Sequence, residues 1–212
     1  MPNPLDKVLE LQIQRTMNAL EANNMEAHYV ARADQVKDFV AQMIPEGATV
    51  ANGGSATLAE TGVLDLLSSG KYNFLDRRTV TGEALDKLFH DCFNADWYLA
   101  SSNAVTEKGE LFNVDGNSNR VAAITFGPKN VLLIVGCNKI VPDLAAAQAR
   151  VKAIAAPANT IRLNCKTPCA VKGDRCYDCK SPGRICRGLV VLWETMMGME
   201  MEVVLVDEDL GY

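Results

Sequence analysis

Five of the seven cysteines lie within a single stretch of 22 residues, which is the part of the sequence best suited to chemistry. They are Cys165, Cys169, Cys176, Cys179 and Cys186. Thiols this close together bind a metal, pair as disulfides or carry out redox reactions. The other two cysteines, Cys92 and Cys137, have apolar neighbours and are predicted to be ordinary buried side chains.

Glycines and polar side chains near the middle of the chain offer two further candidate sites. Gly53 and Gly54 follow a buried strand, and Ser55 or Thr57 can cap the helix that comes next. Such a turn exposes backbone N–H groups and the positive end of a helix dipole, so it can bind an anion, with Glu60 lining the pocket. The alternative is a plain strand-to-helix turn with a serine cap.

The second candidate is the polar block TEKGELFNVDGNSNR, which lies between apolar segments. Arg120 in this block is suited to hold a carboxylate or a phosphate through two hydrogen bonds. The alternative is ordinary hairpin chemistry, with Asp115 and Gly116 forming the turn and the charges facing water.

Bulk composition restricts the class of protein. The chain has 212 residues, of which 48% are hydrophobic, enough for one well-buried core. Its net charge of −5, with no strongly basic segment outside the cysteines, argues against a nucleic-acid partner. No apolar run approaches the roughly 18 residues that a membrane span needs. The first 30 residues also lack the pattern of a secretory signal. We therefore expect a cytoplasmic protein in a reducing compartment, where stable disulfides are rare.

Predicted strands and helices alternate along the chain and must position these side chains. This alternation predicts an α/β fold with a doubly wound, mostly parallel sheet. The apolar run NVLLIVG is typical of a central parallel strand, and a helix is predicted over 142–155. One hairpin is expected to join 110–114 to 120–125, and another to close the chain after the cysteines through LVVLWET and MEMEVVLV. We expect a single domain, 1–212, with a helical arm (1–45), an α/β body (46–160) and a cysteine loop with its hairpin (161–212).

Four segments, in this order, resemble the LUD-domain family, named for lactate utilisation and degradation. They are NGGSATLAETGVLDLL, ADWYLASSNAVTEKGELFNVDGNSNRVAAITFGPKNVLLIVGCNKIV, TPCAVKGDRCYDCKSPGRICR and VVLVDEDLG. The resemblance covers nearly the whole chain and implies a fold related to ribose-5-phosphate isomerase and the CoA transferases. Some members of the family are subunits of an iron–sulfur complex implicated in L-lactate oxidation, whereas many short members have no demonstrated activity.

The resemblance also assigns the cysteines. The family motif matches Cys169, Cys176, Cys179 and Cys186 in the spacing C-x6-C-x2-C-x6-C and leaves Cys165 outside it. Four thiolates around Zn²⁺ or a [4Fe–4S]²⁺ core leave a charge of about −2. Residues 165–188 carry six basic side chains against two acidic ones, a net charge of +4, which would balance it. An iron–sulfur cluster or another redox metal, a structural zinc, and disulfides or free thiols all remain open.

The related folds place a phosphate or acyl group at a turn similar to Gly53-Gly54, and CoA transferases use a glutamate from a loop comparable to that of Glu107. The local sequence TEKG departs from the transferase signature, so Glu107 is only a weak candidate for an acid or base.

Three functions follow from these observations. The first is an accessory or electron-transfer subunit with a cysteine-ligated metal centre, acting with other subunits of a redox complex. The second is a stand-alone isomerase- or transferase-like enzyme that acts on a small anionic metabolite and holds a structural zinc. The third is a metabolite-binding protein without turnover. A homodimer is an open alternative for the assembly.

Overall fold

In the computed structural model, residues 3–173, 175–196 and 198–212 are described; Asp174, one of the charges counted above, lies outside them. The helices are α1 (Pro4–Ala22), α2 (Ala33–Met43), α3 (Ala56–Glu60), α4 (Val63–Leu67), α5 (Glu83–Asp91), α6 (Asn119–Phe126), α7 (Leu144–Arg150), α8 (Ala156–Arg162) and α9 (Pro168–Lys172). The strands are β1 (Glu26–Val30), β2 (Thr49–Asn52), β3 (Asn73–Leu75), β4 (Trp97–Ala100), β5 (Ala104–Thr106), β6 (Leu111–Asp115), β7 (Asn130–Gly136), β8 (Ile140–Val141), β9 (Gly188–Leu192) and β10 (Glu200–Val206).

The core of the fold is a six-stranded sheet in the order β1-β10-β7-β4-β2-β3, with every neighbouring pair parallel. Helices cover both of its faces, so the predicted α/β class with a mostly parallel sheet is confirmed. The residues of β7 illustrate this two-sided packing. Val131 and Leu133 pack with α1 on one face of the sheet. Leu132 and Ile134 pack with α2 on the other face. In the described part of the chain, no helix is both long and apolar enough to cross a membrane.

A smaller sheet, in the order β8-β5-β6-β9, adjoins the large one. Its strands β5, β6 and β9 are antiparallel neighbours, and β8 runs parallel to β5. Phe112 and Val141 from this sheet pack with Ala147 and Val151 in a third apolar cluster. The small sheet and helix α7 therefore form a layer of their own beside the large sheet.

The predicted closing hairpin is wrong. Strand β9 pairs with β6 in the small sheet, whereas β10 inserts between β1 and β7 in the large one, next to its edge strand. The burial of the two strands explains the difference. Val203–Val206 of β10 are fully buried, as expected of a strand covered on both faces, whereas β9 is only partly buried.

The predicted hairpin around DGNSN is also wrong in its second half. Strand β6 is confirmed, but residues 120–125 lie in helix α6. Asp115 provides the reason, because its Oδ2 accepts a hydrogen bond from the backbone N–H of Val121 at 2.9 Å. A carboxylate at this position satisfies a free N–H group in the first turn and favours a helix start.

The helix predicted over 142–155 begins at Leu144, where the Oδ1 of Asp143 accepts from the N–H of Ala146 at 2.8 Å. It continues past its predicted end, through a π-helical turn at Val151–Ala155 and on into α8. Pro157 accounts for the irregular turn, since its ring clashes with the carbonyl four residues earlier and it has no N–H to donate.

Candidate functional site

The candidate site is a crevice at the carboxyl ends of the central strands. Strand β2 leads into the Gly53-Gly54 turn, β4 leads into Ser101, and β7 leads into a short 3-10 turn, Cys137–Lys139. Strand β2 lies between β3 and β4 in the sheet, so the connection that leaves β2 runs to one side and the connection that leaves β4 runs to the other. The order of the strands therefore reverses between β2 and β4. Ligands of open α/β sheets bind at such a switch point.

The Gly53-Gly54 turn brings the backbone close to two arginines. A Cβ atom at Gly53 would lie 2.9 Å from Cδ of Arg120, and one at Gly54 would lie 3.3 Å from Nη1 of Arg77. The predicted serine cap is present, since Oγ of Ser55 accepts from the N–H of Leu58 at 3.2 Å. The N–H of Gly53 donates to the carbonyl of Leu99. The main contribution of the turn is therefore the room that its glycines leave for two cationic side chains. Free N–H donors for an anion are a smaller part of its role.

Lys139 lies at the bottom of the crevice and was missed by the sequence analysis. It is only 2% exposed, and its Nζ donates to Oγ1 of Thr57 at 2.8 Å and to Oγ of Ser101 at 3.0 Å. No carboxylate of the described residues is within ion-pairing distance. Burial, helped by the nearby charges of Arg150 and Arg120, lowers the pKa of Lys139 from 10.5 to about 7. The available signal was a lysine three residues after the end of the buried strand NVLLIVG.

Arg120 is buried, as a ligand-binding residue would be, but its hydrogen bonds are made within the protein. Its five N–H donors all have protein acceptors. These are Oδ1 of Asp115 (3.0 Å), the carbonyl of Ser101 (2.9 Å), Oδ1 of Asn113 (2.6 Å), Oδ1 of Asn103 (3.0 Å) and the carbonyl of Val114 (3.1 Å). In this arrangement Arg120 fixes the surrounding loops and acts on a ligand through its charge, without the two direct hydrogen bonds expected from the sequence.

A third buried cation, Arg150, extends from α7. It donates to the carbonyl of Asn138 at 3.0 Å and to that of Asn103 at 2.8 Å, and burial lowers its pKa. Among the described residues, Asp115 is the carboxylate paired with Arg120, while Lys139 and Arg150 have no ion pair. The floor of the crevice thus carries an excess of buried positive groups.

The segment that follows β10 covers Lys139. The N–H of Gly211 donates to Oε2 of Glu60 at 2.6 Å, and Gly211 adopts a positive φ of 56°. A Cβ atom at Gly211 would lie 2.8 Å from Oγ1 of Thr57 and 3.3 Å from Nζ of Lys139. A side chain at this position would clash with Thr57 and crowd the lysine nitrogen, so the close approach of this segment to Lys139 requires glycine.

Two buried polar atoms of the crevice have no hydrogen-bond partner among the described residues. They are Oδ1 of Asn52, at the end of β2, and the hydroxyl of Tyr212. Buried polar atoms nearly always have a partner, so both mark positions at which a polar ligand would complete the hydrogen bonding.

The cavity beside Lys139 has a volume of about 90 Å³ and opens into a wider crevice of about 600 Å³. Asn159 and Arg162 of α8 line both spaces, because the π-helical turn places this stretch of the helix beside the crevice. Arg162 is exposed and is held by Oδ1 of Asn159 at 2.6 Å. The inner cavity fits a small molecule, and the outer crevice would admit a longer one.

The structure brings most of the predicted site residues together at this crevice. Those that line it or adjoin it are Gly53, Gly54, Ser55, Thr57, Glu60 and Arg120. Glu107 does not line it. Its carboxylate instead accepts from Arg15 at 2.9 Å and from Gln12 at 3.0 Å, which ties the β5–β6 turn to α1. Glu107 is therefore a packing residue in this arrangement.

The cysteine segment is separate from the Lys139 cavity. Cys169 is buried in α9, with its sulfur 3.4 Å from Oγ1 of Thr160 and 3.3 Å from Oγ1 of Thr167. Cys176 and Cys186 line a second cleft together with Lys152 and Arg184. 

Hydrogen bonds and positive charge surround the thiols of this segment. Arg184 donates to the carbonyl of Cys179 at 2.7 Å and to the sulfur of Cys186 at 3.5 Å. A hydrogen bond from Ser181 is the largest influence that lowers the pKa of Cys179. By contrast, burial raises the pKa of Cys92 and of Cys137 to about 11. Cys92 is buried as predicted, whereas Cys137 is only partly buried.

The thiols are not gathered around a single ion. Four sulfurs bound to one tetrahedral zinc lie about 3.8 Å apart, given Zn–S bonds of about 2.3 Å. Among the described residues, the one group of three or more histidine, cysteine or carboxylate ligands within 4.8 Å of one another is Glu26, His28 and Glu202. There Nε2 of His28 contacts the carboxylate of Glu202 and lies 3.7 Å from that of Glu26. A zinc cage would therefore require the thiols to lie closer together than they do in this structure.

A comparison with one solved structure supports this architecture. A DUF162 family protein from Deinococcus radiodurans has the same fold, with a TM-score of 0.57, 13% identity, and coverage of 93% of this chain and 98% of the other. The β subunit of eIF2B from Chaetomium thermophilum gives a TM-score of 0.38 and 17% identity, over 54% of this chain and 44% of that one. A comparison with curated protein sequences gave no match. The model of the LUD domain matches residues 13–206, and the chain therefore belongs to the LUD-domain family.

Proposed function

We propose that this LUD-domain protein binds a small anionic metabolite, bearing a carboxylate or a phosphate, in the crevice above Lys139. The observation that carries the proposal is a buried lysine with two hydroxyl partners and, among the described residues, no carboxylate partner. A buried cation is normally paired, because leaving it unpaired costs several kcal/mol. A bound anion would supply the missing charge.

The rest of the crevice supports the same ligand chemistry. Arg150 and Arg120 add positive charge from below, and Arg162 adds an exposed guanidinium at the mouth. The unpartnered atoms of Asn52 and Tyr212 can hydrogen-bond the polar atoms of a ligand. A ligand anion also favours the protonated form of Lys139, so binding is expected to take up a proton above about pH 7 and to weaken as the pH rises.

Calorimetric titration with inorganic phosphate and with L-lactate tests this proposal. Lys139→Met removes the central charge and should weaken binding by about tenfold or more, because a hydrogen bond to a charged group contributes about 1.5–3 kcal/mol. Lys87→Met, which changes an exposed lysine of α5, is the matched control and should bind as the parent does. Equal affinity of the parent and the Lys139→Met protein, or no binding of either anion, would contradict the proposal.

We propose as a second function that the cysteine segment binds a metal, with an iron–sulfur cluster as the first choice and zinc as the alternative. Lys152 and Arg184 beside Cys176 and Cys186 support it, since cations stabilise thiolates and offset the charge of an anionic centre. The segment between Gly173 and Gly188 has few regular backbone hydrogen bonds among its described residues to resist closure on Cys169. In this role the protein would be an accessory or electron-transfer subunit of a lactate-oxidising or related redox complex.

Metal content after anaerobic purification tests the second function. Cys169→Ala and Cys179→Ala should each lose bound iron or zinc, whereas Cys165→Ala, outside the motif, should keep it. Absorbance in the visible charge-transfer region would distinguish an iron–sulfur cluster from zinc. Full metal occupancy in both motif variants would show that the ligand assignment is wrong.

A further inference from the structure

We propose that Lys139 forms an imine with the carbonyl group of its ligand, so that the crevice takes small anionic aldehydes or ketones. This inference rests on the proposed anion site and deepens it, because it names the ligand class and gives Lys139 a covalent role. Three features of the crevice carry it: the hydrogen bonds of the lysine nitrogen, the absence of a carboxylate partner among the described residues, and the cavity beside it.

The hydrogen bonds of Lys139 suit a neutral amine. A neutral amine has two N–H groups and one lone pair, and the two N–H groups have acceptors in Thr57 and Ser101. The lone pair must then point in the remaining tetrahedral direction. Both hydroxyls can pass a proton on, because a hydroxyl accepts and donates at once.

The charges around Lys139 favour the neutral amine as well. In the described part of the chain, it has no carboxylate within hydrogen-bonding distance. Arg150 and Arg120 disfavour a charge on its nitrogen, whereas the carboxylate of Glu60 acts in the opposite direction and does not outweigh the effect of burial. An exposed lysine holds its proton until far higher pH. Burial and like charge are the conditions under which a lysine becomes a nucleophile towards carbonyl compounds.

Space for the carbonyl carbon exists in the inner cavity, which Lys139 lines together with its hydroxyl partners Thr57 and Ser101. The inner cavity of about 90 Å³ corresponds to about three water molecules at ~30 Å³ each, so it holds a small carbonyl group. The ligand's anionic group would then extend towards Arg162 at the mouth.

The reaction balances without a further reagent. The lone pair of Nζ attacks the carbonyl carbon, a C–N bond forms, and a proton leaves the nitrogen through the hydroxyl of Thr57 or Ser101 to the carbonyl oxygen. The C–O bond of the resulting carbinolamine then breaks as the nitrogen lone pair forms the C=N bond. The remaining proton of the nitrogen passes through the same hydroxyls to the departing oxygen, which leaves as water. The products are one imine and one water, and no group is oxidised or reduced.

Trapping with sodium borohydride tests the proposal, since the reagent reduces an imine to a stable secondary amine. Pyruvate serves as the carboxylate-bearing ketone, glyceraldehyde 3-phosphate as the phosphate-bearing aldehyde, and acetone as the ketone without an anion. Mass spectrometry of digested protein locates the adduct. We expect adduct on Lys139 with at least one of the two anionic compounds, at about tenfold or more above any other lysine, given its larger neutral fraction.

Two variants separate the covalent role from simple binding. Lys139→Arg keeps the charge but cannot form the imine, so it should give no specific adduct. Ser101→Ala keeps the lysine and removes one proton acceptor, so trapping should become several-fold slower. Adduct spread evenly over surface lysines, or none on Lys139 although phosphate binds the parent, would overturn the imine and leave the anion site standing. Failure of both phosphate binding and trapping would overturn both.

Discussion

Two cationic side chains of the crevice are buried without a charged partner in the described part of the chain, an arrangement less favourable than exposure to water. Lys139 is buried with hydroxyl partners and Arg150 with carbonyl partners, so neither charge is neutralised by an ion pair among the described residues. Such an arrangement costs folding free energy and is typical of functional sites, where a ligand completes the electrostatics. Two consequences for stability can be measured without knowing the ligand.

The first consequence is a dependence of stability on pH. The unfolded chain keeps the proton of Lys139 up to its ordinary pKa of 10.5, while the folded chain releases it at about 7. The unfolded state therefore binds more protons between these values, and the free energy of unfolding rises with pH by up to ~1.4 kcal/mol per unit. Below about pH 7 both states hold the proton and this contribution to the slope vanishes.

Urea unfolding at about pH 7, 8 and 9 measures the slope. In the Lys139→Met protein, the free energy of unfolding should rise less with pH, because the contribution of Lys139 is gone. The Lys87→Met protein should show the same rise as the parent. Parallel curves for the parent and Lys139→Met would mean that the folded lysine keeps its proton throughout this range.

The second consequence concerns Arg120, whose five hydrogen bonds join β6, the start of α6 and the loop after β4. Arg120→Ala leaves the half-buried carboxylate of Asp115 without its partner, so we expect a loss of about 3 kcal/mol in the free energy of unfolding. Arg32→Ala breaks an exposed arginine–aspartate pair of similar geometry and should cost less than about 1 kcal/mol. Equal losses in the two variants, measured by urea unfolding, would contradict the structural role of Arg120.

Among the secondary-structure elements, helix α1 depends on a close approach to the β5–β6 turn. Gly109 in that turn has a φ of 77°, and a Cβ atom there would lie 2.6 Å from the backbone carbonyl of Ala19. Because a rigid helix backbone cannot move aside locally, any side chain at Gly109 must push α1 away from the sheet. Glu107 and its partner Arg15 lie across the same contact.

Gly109→Ala is therefore expected to destabilise the protein more than a glycine substitution in open space. Gly70→Ala is the matched control, since Gly70 also has a positive φ but nothing within 4 Å of an added Cβ. The control should lose about 1–2 kcal/mol for its backbone conformation, and Gly109→Ala should lose about 1–3 kcal/mol more for the clash. Hydrogen exchange should also become faster in α1 in Gly109→Ala alone; unchanged exchange there would refute the clash.

The elements also show what local sequence patterns can and cannot predict. The run NVLLIVG and the glycine turn after β2 were predicted correctly, because burial on both faces and tight turns leave signals within a few residues. The partners of β9 and β10 were not, because pairing is decided by distant segments such as β1 and β6. Residues 120–125 form a helix since the carboxylate of Asp115 reaches the N–H of Val121, a contact that no periodicity reveals.

For the whole molecule, the crevice is a product of the assembled fold. Its walls come from the ends of β2 and β4 and from helix α8, which lie far apart in sequence. Thr57 and Arg120 could be proposed from motifs, whereas Lys139 could not, because a lysine after a strand is usually exposed. Its burial depends on segments that lie far from it in sequence, since Thr57, Ser101 and Gly211 lie against its nitrogen.

Because the walls come from separate segments, a ligand should protect several of them at once. Saturation with phosphate or L-lactate at about 100 times the dissociation constant adds ~2.7 kcal/mol to the stability of the bound state. Hydrogen exchange should slow in residues 53–61 and in α8 together, with little change in α2, which does not line the crevice. Protection confined to one segment would place the ligand elsewhere.

The π-helical turn at Val151–Ala155 has a consequence for how relatives of this chain could change ligand. A π turn contains one residue more than a regular helix can hold, and each residue advances a helix by about 100°. Replacement of Pro157 together with loss of one residue from this turn would give a regular helix and rotate Asn159 and Arg162 away from the crevice. Both sheets and the position of Lys139 would be unaffected. Such a change would thus alter the mouth of the site while the chemistry at its floor stayed the same.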